Sequence, residues 1–162
     1  MVKELTQTEV KNLFDYVDGE LLWKNPKTNR TKKGTAAGTF KDGYRRVNLN
    51  YTFHYVHRLI WLYHYGVMPS GCIDHIDMDR SNNRIENLRE ATKSENGMNR
   101  LKPKSNSSGF KGVDFHKGTQ KWRARCRVNG KEKHFGLYAS AEEAHEVYSR
   151  EVAKHHGEYG RT

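Results

Sequence analysis

The chain has 162 residues, with 29 Lys and Arg against 19 Asp and Glu, a formal net charge of +10 at neutral pH. Such a length suits one domain or two small ones, and the positive balance calls for a polyanionic partner. No apolar run of about 18 residues and no signal-peptide pattern occurs, so no membrane partner is expected and a soluble, intracellular protein is. Cys72 and Cys126 are the only cysteines, too few for a disulfide framework or a four-cysteine zinc site, and both read as small buried thiols.

Residues 4–16 place Leu5, Val10, Leu13 and Phe14 at roughly helical spacing, with Val17 beyond them, and predict a helix. An Asp18-Gly19 turn then leads into a short strand over Glu20-Leu21-Leu22-Trp23. Lys24, Lys27, Arg30, Lys32 and Lys33, with Pro26, Gly34 and Gly38, read as a basic loop facing solvent or phosphate. Asp42-Gly43 is a hairpin signal, and Tyr44, Val47, Leu49, Phe53, Tyr55 and Val56 support a small antiparallel sheet interrupted near Asn50. His57 to Tyr65 reads as a helix stopped by Gly66, with Pro69 beyond. His57 and His64 could share a face of it and are expected to pack or hydrogen-bond, since neither has a partner at metal-ligand spacing.

The stretch Ile73 to Arg100 carries the chemistry. Asp74 and His75 close an apolar run, Asn87 precedes Leu88, and Asn96 lies one turn into a segment opened by a Thr92/Glu95 capping box. Residues 51–100 carry six basic and six acidic side chains, the acids gathering at Asp74, Asp77 and Asp79, whereas both flanking thirds are basic. A neutral centre between basic arms is what a cation site flanked by phosphate-seeking segments looks like. Phosphodiester hydrolysis needs an activated water and neutralisation of charge on the phosphate and the leaving oxygen. His75 suits the first task, because an imidazole with an ordinary pKa near 6.5 accepts a proton at working pH. Asp74 and Asn96 offer two oxygen ligands that favour magnesium or manganese over structural zinc. The Asn87 amide both donates and accepts, so it could brace the loop behind Asp74 and His75.

These residues, with the preceding H-R-L-I-W and G-Y-R-R-V, resemble the HNH nucleases of the homing-endonuclease branch, in a phage-associated subgroup, over about residues 10–100. The resemblance implies a β-β-α-metal finger with His75 as general base, Asp74 and Asn96 as ligands of a single metal ion and Asn87 as the middle Asn. Asn96 matches the subgroup with Asn at the last position, where many relatives have His.

Residues 101–109, L-K-P-K-S-N-S-S-G, read as a basic linker and place a domain boundary there. Beyond it, Lys121 to Val128 alternates so that Arg123, Arg125 and Arg127 share one face and Trp122, Ala124, Cys126 and Val128 the other. Asn129-Gly130 marks a hairpin to a strand over Lys131 to Phe135, Gly109 to Phe115 supplies a third, and Ser140/Glu143 caps a helix striped by Ala144, Val147, Tyr148 and Val152. Lys154, His155 and His156 read as solvent-facing residues at the end of that helix. Residues 108–157 resemble the Apetala-two, ethylene-response-factor type DNA-binding domain, which implies that Lys111, His116, Arg123, Arg125 and Arg127 meet DNA.

The fold expected is therefore α+β, with a nuclease module over 1–100, a linker over 101–109 and a DNA-binding module over 110–162. The activity expected is site-specific nicking of double-stranded DNA by a cytoplasmic monomer, in the host cell if phage-encoded, with one magnesium or manganese ion. A DNA-binding regulator without activity is the alternative, and a nonspecific nuclease toxin a weaker third reading.

Overall fold

A computed structural model of the chain describes residues 4–26, 28, 31–100, 102, 105–128, 130–156 and 159. Lys27 and Arg30 of the basic loop, Leu101, Pro103 and Lys104 of the linker, Asn129 of the hairpin turn and the His156 side chain lie outside them. The chain divides into two compact units, Met1–Ala91 and Thr92–Thr162, so the division falls ahead of the linker expected over 101–109.

The first unit opens on α1, Gln7–Leu13, through a capping box. The Thr6 hydroxyl accepts from Glu9 N, and Glu9 Oε2 accepts from Thr6 N at 2.9 Å. The helix is shorter than expected, because Phe14–Val17 forms strand β1 and pairs antiparallel with β2, Glu20–Trp23, in register Val17↔Glu20. Asp18 and Gly19 both have positive φ, 48° and 85°, the turn chemistry that folds two strands back on each other. Phe14 and Leu21 are fully buried either way, which is why helical spacing alone misassigned Phe14.

Strands β3 (Thr39–Lys41), β4 (Tyr44–Leu49) and β5 (Thr52–Tyr55) make a three-stranded antiparallel sheet in that order. Helix α2, Val56–Tyr65, follows and ends at Gly66, whose φ of 78° is the left-handed cap that glycine adopts without strain. Strands β6 (Cys72–His75) and β7 (Leu88–Ala91) then pair antiparallel, with Asp74 opposite Arg89 and His75 opposite Leu88. Val10, Phe14, Leu21, Val47, Leu59 and Ile60 are among the residues of one core beneath these elements.

The second unit begins with α3, Lys93–Met98, where Thr92 and Glu95 form the expected capping box. Strands β8 (Val113–His116), β9 (Lys121–Val128) and β10 (Lys131–Tyr138) form an antiparallel sheet ordered β10-β9-β8, packed on α4, Ala141–His156. Strand β8 starts later than expected and β10 runs on to Tyr138 through an irregularity between His134 and Gly136. Val113, Ala124, Ala144, Tyr148 and Val152 fill the core between sheet and helix. Gly112, at φ 70°, lets the Tyr148 ring lie against its backbone, where a Cβ would stand 1.9 Å from the ring. Burial pushes the Tyr148 hydroxyl up to about 12, with the Cys126 thiol adding to the shift.

Candidate active site

Successive side chains of a strand point to opposite faces, and β6 pairs regularly with β7 through to His75. Asp74 and His75 are nonetheless both buried, at 4% and 5% exposure. Each has its own surroundings. Arg89, directly across the ladder, grips Asp74 Oδ2 through Nε at 2.9 Å and Nη2 at 2.8 Å. His75 Nε2 stands 3.0 Å from Oδ1 of Asn83, a side chain only 3% exposed. The His75 ring meets the ring of His57 edge-on at 5.2 Å and that of Tyr44 at 6.1 Å.

His57, near the start of α2, is stacked on Tyr55 at 5.4 Å, and burial holds its pKa down at about 3, with the nearby His75 and Arg58 adding to the shift. A neutral His57 therefore walls the His75 site without bringing a competing positive charge. Arg80 closes another side, its guanidinium 4.7 Å over the Tyr44 ring and one nitrogen donating to the Asp42 carbonyl at 3.3 Å.

Asn87 ends a single 3-10 turn, Ile85–Asn87, and ties the loop that follows β6 to β7. Its carbonyl accepts from Ile76 N at 2.9 Å and its Oδ1 from Asp77 N at 3.0 Å. Its Nδ2 donates to Asp77 Oδ1 at 2.9 Å and to the Asn82 carbonyl at 2.8 Å. The amide thus donates and accepts at once, as a brace requires. Asp77 and Asp79 do not gather into a cation site with Asp74. Asp77 accepts from Asn82, Asn87 and the Asp79 N–H, and Asp79 from Ser81, so both carboxylates are used inside the loop as turn-formers. Burial works against ionisation of Asp77, but the hydrogen bonds from Asn82 and Asn87 prevail and lower its pKa, and the Ser81 hydroxyl lowers that of Asp79.

Residues 54–98, which include His57, Asp74, His75, Asn83, Asn87 and Arg89 but not Tyr44, match the HNH endonuclease family. The chain is also 36% identical over 106 residues to protein 3.8 of Escherichia phage T7, an alignment covering 65% of this chain and 87% of that protein. The chain carries an HNH endonuclease domain over residues 54–98. No solved structure matches it.

HNH nucleases generally use a divalent metal. Among the described residues of this HNH protein no three His, Cys, Asp or Glu side chains stand together in a way that would hold an ion. Of the two residues expected as ligands, Asp74 lies in the first unit with its carboxylate held by Arg89, and Asn96 lies on α3 in the second.

Sequence reasoning missed Asn83, Arg89, Tyr44 and the position of His57. Arg89 could have been found by pairing the apolar runs at 72–75 and 88–91 as a ladder, which sets it opposite Asp74. Asn83 carries no local signal, since its partner is chosen by the fold of the 76–87 loop.

In the second unit, Ala124 is fully buried, and Trp122 and Cys126 pack with it on the helix side, while Arg123 and Arg125 reach the Asp114 carboxylate from the other, each at 2.7 Å. Partial burial would raise the Asp114 pKa, but the two guanidinium hydrogen bonds lower it. Arg125 also reaches Glu132, and Arg127 lies opposite Glu132 in the ladder. His116 Nδ1 is 2.9 Å from the Thr119 hydroxyl, and Lys111 in the turn before β8 donates to the Met98 carbonyl at 2.5 Å. Of the five residues assigned to DNA, Arg123 and Arg125 thus converge on one carboxylate, while Lys111 and His116 bond to their own neighbours.

Proposed function

We propose that this HNH protein is a site-specific DNA endonuclease that nicks double-stranded DNA in the host-cell cytoplasm, with His75 as its general base. The carrying observation is the buried Asn83–His75 hydrogen bond at the end of β6. The Asn83 carbonyl oxygen only accepts, so Nε2 carries the proton and Nδ1 is the basic nitrogen that takes a proton from water. His57 meets the His75 ring edge-on and Tyr44 packs against it at a tilt, while Asn87 fixes the loop that follows β6. Asp74 and Asn96 would hold one magnesium or manganese ion, which when bound neutralises charge on the phosphate and the leaving oxygen. In the second unit, Arg123, Arg125 and Arg127, with Lys111 and His116, would position the substrate, a role that rests on the sequence resemblance of residues 108–157 to Apetala-two DNA-binding domains. One such finger per chain cuts one strand, so a monomer on DNA suffices.

A second reading is favoured by the Asp74–Arg89 ion pair, which neutralises the carboxylate a metal would need: a DNA-binding regulator that does not cut. Supercoiled DNA carrying the target separates the two. With magnesium the parent is expected to nick it, and His75→Ala to cut about 10²–10⁴-fold more slowly, the usual contribution of a positioned base. Undiminished cutting by His75→Ala sinks the mechanism, and tight binding with intact DNA in magnesium and in manganese establishes the regulator.

A further inference from the structure

The β3–β4–β5 sheet turns one face to the core and the other to solvent. Residues directly opposite each other in an antiparallel ladder share a face, so Tyr55 lines up with Arg46, Phe53 with Asn48 and Lys41 with Tyr44, while Val47 and Leu49 are buried on the reverse. On the solvent side Phe53 is 64% exposed and Tyr55 40%. The Arg46 guanidinium lies 5.4 Å from the Phe53 ring and 6.0 Å from the Tyr55 ring, and among the described residues no carboxylate pairs with it. The connection from β4 to β5 is a two-residue turn, Asn50-Tyr51, with φ of 52° and 65°. That turn ordinarily takes Gly at its second place. A tyrosine there is strained, and it is fully exposed, so no contact within the fold repays the strain.

We propose that Tyr51, Phe53 and Arg46 form a stacking platform for unpaired nucleotides of the DNA substrate, a reading that rests on the nuclease assignment. Exposed ring faces interleaved with a guanidinium suit bases, every one of which has a π-face, and the positive charge of the chain suits their phosphates. In an intact duplex those base faces are already stacked on their neighbours, so only an opened strand can offer them. Tyr55, on the same sheet face as Phe53 and Arg46, stacks on His57, which meets His75, so the platform lies next to the candidate site.

The test is fluorescence anisotropy of the full chain in EDTA, with labelled oligothymidylate and with a mixed-sequence duplex of the same length. Tyr51→Gly and Phe53→Ala are each expected to weaken oligothymidylate binding about tenfold, with little change on the duplex, and Phe53→Trp to keep it. Tyr51→Gly is also expected to leave the thermal midpoint unchanged or raised, since Gly takes that φ without strain, so its loss of binding cannot be a loss of folding. Unchanged oligothymidylate affinity in both variants overturns the platform, as does an equal loss on the duplex. A dimer of the parent that Tyr51→Gly dissociates overturns it too, by giving the face to a second copy. Because no cleavage is read, a His75→Ala variant that still cuts would leave these outcomes standing.

Discussion

Each unit of this protein holds a carboxylate between arginine nitrogens, and the two grips sit in different surroundings. In the first, Asp74 and Arg89 meet at 2.8 Å with side chains only 5% and 12% exposed. In the second, Asp114 meets Arg123 and Arg125 at 2.7 Å with all three side chains about a quarter to a third exposed. The distances are alike, so geometry alone would rank the pairs as equals. Surroundings separate them: removing one partner of a desolvated pair strands a buried charge, whereas a solvated pair loses little because water and salt already screen it. The first unit holds its charged pair out of water, and the second keeps its pairs at the edge of solvent.

The largest effect should follow from Arg89→Ala, which leaves Asp74 buried without its guanidinium. A loss of about 3–5 kcal/mol is expected in urea unfolding of the full chain, and the double change Asp74→Leu with Arg89→Leu should recover most of it. A loss below about 1 kcal/mol would show that the pair behaves as a solvated one and would erase the contrast.

Acid is expected to act next, and on the first unit. His57 has an ordinary pKa of 6.5 and holds about 3 in the folded chain, chiefly through burial. Between those values the unfolded chain binds a proton that the folded chain refuses, so stability rises with pH across the window and is lost as pH falls from about 6.5 toward 3. His57→Gln should flatten this part of the curve of thermal midpoint against pH. An unchanged slope in that variant would assign the acid sensitivity to other groups.

The smallest change in stability is expected in the second unit, where Asp114→Asn should cost less than about 1 kcal/mol. Its consequence is expected in binding. Arg123→Ala, Arg125→Ala and Arg127→Ala should each weaken DNA affinity and reduce its dependence on salt by roughly one phosphate contact, while single-turnover cutting at saturating enzyme keeps the parental rate. A slowed rate at saturation without loss of affinity would move these arginines from positioning to chemistry.

Several elements were legible in the sequence because their causes are local. The Thr92/Glu95 capping box needs only residues three apart, and it opens α3 as expected. Gly66 stops α2 by supplying one left-handed residue. The same rule applied to Thr6 and Glu9 would have marked the true start of α1. Period alone failed at Phe14–Val17, where one apolar spacing fits a helix and a strand equally, and the turn at Asp18-Gly19 decided for the strand. The aspartates of the 76–87 loop misled for a related reason: charge shows in sequence, but the hydrogen bonds from Asn82, Asn87 and Ser81 that occupy Asp77 and Asp79 do not.

By itself the sequence determined the residue types available for chemistry, namely Asp74 beside His75, with Asn87 and Asn96 at HNH spacing, and the alternation that puts three arginines on one strand face. Only the tertiary structure decided their surroundings. The β6–β7 register set Arg89 against Asp74, the loop brought Asn83 to His75 Nε2, and α2 laid His57 against the His75 ring. Local preferences act over a few residues through backbone geometry. The charge state and orientation of a buried side chain depend on which distant groups exclude its water, and those are chosen when the elements pack.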